Sequence, residues 1–301
     1  MPSTPSTDEF TSASAMTIPT LFAGKIADAS QLDALVAQTA TGWQMVGVDA
    51  SFEELSAVTL GAEPNRMIEL VGRIAAGGEQ LALAGASHRD SRAWDLSGPE
   101  NVQSSVSVRA LSEIAGYYSI SAAHGLVNAT ARLYALEHRS RTAFASAGKG
   151  RGSNDGFPPF GGRPSYWLPF NQHSVDLVSS ATTHHSTAAG LKAVMQELLD
   201  DPRWSALATR RNTDFHRWRP QSIEGGVAPT SPWVGLDEDT QLLAVFDGNI
   251  YAPESASALR DEAAGALEAL TDAMSRWLSL YPDAKEQVLT FVLASRHGED
   301  L

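Results

Sequence analysis

Residues 210–220 read Arg-Arg-Asn-Thr-Asp-Phe-His-Arg-Trp-Arg-Pro, and within them Arg211, Asn212 and His216 stand in the spacing Arg-Asn-x-x-x-His. These residue types could do phosphate chemistry. Histidine titrates near neutrality and can take up or give a proton. Arginine can hold a phosphate through two parallel hydrogen bonds. RNA is the substrate such a pair suits, because its 2′-hydroxyl is an internal nucleophile beside the scissile phosphate. Deprotonating that hydroxyl and neutralising the pentavalent phosphorane requires no metal. On an ideal helix five residues turn through about 500°, which leaves the two side chains about 140° apart. Arg211 must therefore reach around the helix to meet His216.

The electrostatic setting is uneven. The 301-residue chain has a net charge of −13, which argues against a protein that coats nucleic acid with its whole surface. Residues 101–219, however, carry 13 basic and 8 acidic groups. Within that stretch, residues 203–219 alone hold Arg203, Arg210, Arg211, Arg217 and Arg219 against a single acid, Asp214. A basic focus in an acidic chain points to a local anionic ligand, or to an acidic surface of the same or another chain. Arg210, Arg217 and Arg219 are the nearest candidates to bind substrate. Lys149 and Arg151, in the glycine-rich run Gly148–Ser153, are two more. That run lacks the spacing and the preceding strand of a phosphate-binding loop, so it reads as a flexible basic loop.

Other candidate chemistry is thinner. His88-Arg89-Asp90 matches a kinase catalytic triplet, but none of the accompanying kinase motifs is present. His173, His184 and His185 could suit zinc. No carboxylate completes a recognisable ligand set with them, and adjacent histidines on a helix point apart, so they are expected to be surface or capping residues. No metal or other cofactor is expected. Cysteine is absent, which excludes disulfides, thiolate metal sites and cysteine nucleophiles. There is no Gly-x-Ser-x-Gly elbow and no Glu-x-x-His set of the di-iron type.

The elements that must position these residues are mainly helical. Helical character is expected over 28–40 and 51–60, with Trp43–Ala50 as a strand or buried turn. Met67, Ile68, Val71 and Ile74 recur at helical spacing over 64–76, with Gly77 and Gly78 as a stop and 85–100 as a polar connection. The strongest pattern begins near Pro99 and spans about 35 residues, from Val102 to Leu136. Small residues (Ser119, Ser121, Ala122, Ala123, Gly125) would admit a close neighbour, and Gly116 or Gly125 could bend or divide the helix. Residues 148–170 form a long Gly/Pro-rich loop whose aromatic side chains must pack on something. Helical character returns over 172–199. Asp201-Pro202 then starts the helix that bears the motif, and Pro220 bounds it. A hairpin is expected over 241–253, around Asp247-Gly248, and a last amphipathic helix over about 255–281. The class is mainly α: a helical bundle with a small β-hairpin and a long Gly/Pro-rich loop. Four regions are expected: a disordered tail (1–16), a mainly helical region (17–95), a bundle core with the motif (96–220), and a hairpin with a C-terminal helix packed on that core (221–301). No apolar run could cross a bilayer and no signal peptide is evident. A soluble, cytoplasmic protein with no membrane partner is expected.

Arg-Asn-x-x-x-His resembles the signature of the HEPN (higher eukaryotes and prokaryotes nucleotide-binding) superfamily. Its members are α-helical bundles in which arginine, a polar residue, three variable residues and histidine form an endoribonuclease motif. The resemblance covers this motif and a general helical arrangement over roughly 100–220. It implies that Arg211 binds the phosphate, Asn212 positions groups and His216 acts as acid or base. It also implies a homodimer whose two motifs share a cleft, and the role of a toxin or antiviral effector. The alternative is a non-catalytic helical module that binds a protein or nucleic-acid partner.

Overall fold

A computed structural model describes residues 23–48, 64–95, 102–147, 167–216 and 255–297. Among these the protein is mainly helical, with no strand: α1 (Gln31–Val48), α2 (Pro64–Asp95), α3 (Val102–Tyr134), α4 (His138–Ala147), α5 (Gln172–Ala181), α6 (Ala188–Asp200), α7 (Pro202–His216) and α8 (Ala256–His297). The expected hairpin at 241–253 and the tail at 1–16 lie outside the described residues, as do residues 148–166 of the Gly/Pro-rich loop.

α1 opens with a reciprocal cap. The Ser30 hydroxyl accepts the Asp33 N–H at 3.2 Å, while an Asp33 carboxylate oxygen accepts the Ser30 N–H at 2.6 Å, so two otherwise orphaned donors are satisfied. The helix runs on through Trp43, where the sequence left a strand or turn open. Trp43 explains the extension: it is fully buried, its ring lies 4.5 Å from that of Trp277, and its Nε1 donates to the Met274 carbonyl at 3.0 Å. Trp277 Nε1 in turn donates to Thr130 Oγ1 at 2.8 Å. One indole pair thus ties α1 and α3 to α8 with both polar N–H groups satisfied.

α2 and α3 are the long central pair, packed against each other, with α1 and α8 laid on them. Gly77 and Gly78 do not stop α2, and 85–95 continues the helix rather than forming a connection. Neither Gly116 nor Gly125 divides α3. A Cβ built on Gly125 would lie 3.1 Å from the Gly77 Cα. The two glycines mark a backbone-to-backbone crossing, and tertiary packing outweighs their poor helix propensity. α8 likewise continues past Pro282 to His297, held by buried Ala284, Val288 and Val292. None of the described helices is long and apolar enough to cross a membrane.

Candidate functional site

The motif helix begins as its sequence dictates. Asp201 precedes Pro202, and its carboxylate accepts the Arg203 N–H at 2.8 Å, a satisfied first turn. Buried Trp204 and Leu207 seat α7 on the bundle. A Cβ on Gly116 would approach Leu207 Cδ1 to 2.8 Å, so a glycine of α3 makes room for this helix. Arg210 is half-buried, with Nε and Nη2 donating to the two Glu262 oxygens at 2.5 and 2.6 Å. That fork clamps α7 to α8. Arg211, the next residue, is exposed. Asn212 and His216 belong to the helical backbone of α7, but their side chains lie outside the described residues, as do Arg217, Arg219, Lys149 and Arg151.

Beside Arg211 the structure places a group that the sequence did not single out. His124 of α3 is held largely neutral, its pKa lowered to about 4 by burial and then by the Arg211 charge. Its Nδ1 accepts the Phe170 N–H at 2.8 Å. One turn on, fully buried Asn128 donates from Nδ2 to the Leu168 carbonyl at 2.8 Å and accepts the Leu168 N–H on Oδ1 at 3.0 Å. A further turn on, buried Arg132 donates to Asn128 Oδ1 at 2.9 Å and to Glu69 Oε1 of α2 at 2.8 Å. Positions 124, 128 and 132 share one helix face, and together they form a polar seam that clasps residues 168–170 as a surrogate strand would. Of the aromatic residues expected to pack from the Gly/Pro-rich loop, Trp167 and Phe170 lie among the described residues, and both pack here. Phe170 meets Trp204 edge-on with centroids 5.6 Å apart. Trp167 meets His124 at 6.1 Å and carries the Arg73 guanidinium 4.8 Å above its ring. Arg73, Trp167, His124 and Arg211 thus form a cationic and aromatic cluster reaching from α2 across α3 to α7.

The histidines at 173, 184 and 185 do not share a helix. His173 lies exposed on α5, whereas His184 and His185 lie in the turn between α5 and α6. The turn brings the last two together, with ring centroids 4.3 Å apart, although helical neighbours would diverge. The carboxylate missing from the sequence pattern is Glu137, 47 residues earlier, in the turn that follows α3. Its Oε2 lies 3.1 Å from His184 Nε2 and 3.8 Å from His185 Nε2. Glu137 also caps α4, accepting the Arg139 N–H on Oε1 and the Ser140 N–H on Oε2 at 2.6 Å. The carboxyl is held well below the usual carboxylate range: burial opposes ionisation, but the His185 ring beside it, these two amides and the hydrogen bond with His184 outweigh it. His185 is 2% exposed, and neither ring nitrogen has a hydrogen-bond partner. Its ring is confined by Tyr134 and Phe291, at centroid distances of 4.9 and 4.8 Å.

Compared with protein-family models, curated proteins and solved structures, the chain matches none. His124, Asn128 and Arg132 were legible only as a polar i, i+4, i+8 series within an apolar helix. Glu137 had no local signal beyond its place where the long apolar pattern ends.

Proposed function

We propose that this helical protein is a metal-independent endoribonuclease of HEPN type, acting as a homodimer on RNA. The observation that carries this reading is the exposed Arg211. It stands on a rigidly clamped helix, at the edge of a cluster holding Arg73, Trp167 and His124. In the proposed mechanism His216 moves the 2′-hydroxyl or leaving-group proton, Arg211 neutralises the phosphorane and Asn212 orients the phosphate. The Trp167 ring and the Arg73 cation suit an unpaired base and its phosphate, since stacking is indifferent to sequence and guanidinium pairs with phosphate. Arg217, Arg219, Lys149 and Arg151 would extend the basic track. A role as a toxin or antiviral effector rests on the family resemblance alone.

Cleavage of fluorogenic RNA oligonucleotides by the untagged protein in excess chelator tests this reading. His216→Ala should lower cleavage by about 10²–10⁴-fold, the usual share of a general acid or base. Arg211→Ala should lower it by about 10²–10³-fold, with far-UV circular dichroism unchanged in both. Wild-type cleavage by His216→Ala would end the assignment.

One observation favours a second reading, a non-catalytic module that holds RNA or a protein. Arg210 and Arg132 are both committed to internal carboxylates, as the cations of a scaffold would be. RNA binding without cleavage by the wild-type protein would select it.

A further inference from the structure

We infer that Glu137, His184 and His185 form a binding site for a divalent first-row transition ion such as zinc. Their ligand atoms lie within 4.8 Å of one another. The two carboxylate-to-imidazole separations, 3.1 and 3.8 Å, bracket the spacing of about 3.3 Å between ligands around a tetrahedral ion with bonds of about 2.0–2.1 Å. Two imidazoles and one carboxylate are a donor set that suits zinc, iron and their neighbours, leaving a coordination position for water.

The decisive observation is His185. A ring 2% exposed, with both nitrogens lacking hydrogen bonds, is unexpected where buried polar groups are nearly always paired. At 3.8 Å the Glu137 oxygen is too far to be a hydrogen-bond partner, yet an ion between them would engage both.

The surroundings hold the ligands in place. The capping bonds from the Arg139 and Ser140 amides fix the Glu137 carboxylate. The histidine turn is tied to α8, where Gln287 Oε1 accepts the Thr187 N–H at 3.1 Å and Gln287 Nε2 donates to Ser186 Oγ at 2.8 Å. Tyr134 Oη lies 3.1 Å from Thr187 Oγ1, joining the turn to α3 as well. Such outer contacts orient ligands before a metal arrives. Helix α3 separates this site from His124 by about 15 Å, given ten residues at 1.5 Å rise from His124 to Tyr134. The ion would thus pin the 182–187 turn to the end of α3, and it has no part in the RNA chemistry proposed above.

The test uses the untagged full chain, stripped with chelator and dialysed, then titrated separately with Co²⁺ and Zn²⁺. One equivalent of cobalt should bind with the intense visible absorption of a four-coordinate ion, zinc should displace it, and zinc should raise Tm. His185→Phe fills the same aromatic niche without a ligand atom. It should fold with a Tm in chelator at least equal to wild type, yet show neither cobalt spectrum nor zinc-dependent Tm. His184→Gln, at the half-buried edge, should weaken zinc binding by more than the roughly hundredfold typical of outer-contact changes. His173→Ala should leave binding unchanged. Failure of the wild type to take up one equivalent, or wild-type binding by His184→Gln or His185→Phe, would overturn the proposal. Because RNA cleavage is assayed in chelator, loss of metal uptake leaves the ribonuclease reading untouched, and the reverse also holds.

Discussion

His124 Nδ1 accepts the backbone N–H of Phe170 at 2.8 Å, so only the tautomer with its proton on Nε2 clasps residues 168–170 to α3. Protonation removes that acceptor. Because the folded-state pKa is lowered to about 4 while an unfolded histidine titrates near 6.5, the unfolded chain binds the extra proton between these values. Stability is therefore full above about pH 6.5 and falls as pH drops toward 4, by about 3 kcal/mol in all. Urea unfolding at pH 7, 5.5 and 4.5 should show this decline, and His124→Gln should remove most of it. An equally steep decline in the variant would mean that another group titrates.

Arg211 contributes to the His124 shift, although burial is the larger cause. Arg211→Ala should raise the His124 pKa without restoring the ordinary histidine value, as followed by the imidazole proton shifts in an NMR titration. No change would separate Arg211 from the α3 seam.

Asn128 is fully buried and bonds both backbone polar groups of Leu168, its N–H and its C=O. Asn128→Ala leaves that N–H and C=O without partners, and also one donor of Arg132. A loss of at least about 3 kcal/mol is expected, from about 1–3 for each of the three groups left unpaired. Hydrogen exchange should speed up selectively at Leu168 and Phe170.

Gly78→Ala replaces a poor helix former with the best one, a gain of about 1 kcal/mol in an open helix. Here the new Cβ would stand 2.8 Å from the Ala40 carbonyl oxygen and 2.9 Å from Trp43 Cβ. Backbone must move, so the variant should be destabilised by about 1–3 kcal/mol, seen as a lower urea midpoint with unchanged slope. A stabilised variant would show that α1 yields freely.

Adjacent arginines should behave differently. Arg210 is engaged by both Glu262 oxygens, whereas Arg211 is exposed. Arg210→Ala should cost about 1 kcal/mol of stability and leave RNA affinity nearly intact. Arg211→Ala should weaken RNA binding, as measured by fluorescence anisotropy with a short RNA. Equal loss of RNA affinity in both would assign Arg210 to the substrate as well.

Much of the architecture was legible because it is local. Asp201-Pro202 starts α7 and the period of Val102 to Leu136 marks α3, since capping and amphipathic spacing act within a few residues. The small residues of α3 foretold a close neighbour. Where the sequence misled, the cause was a contact with a distant segment. Gly77 and Gly78 read as a stop until Trp43 and Gly125 turned them into a crossing, and Pro282 lies within a helix held on both sides by burial.

The sequence by itself determined that the described part of the chain is mainly helical and that Arg211, Asn212 and His216 share one short helix. Only the tertiary structure decided that Arg211 neighbours His124, that Arg210 faces Glu262, and that Glu137 meets His184 and His185. Those relationships join residues 47 to 87 positions apart. Periodicity reports which face of an element is apolar, but not which element it meets, so the chemistry formed between elements appears only when they pack.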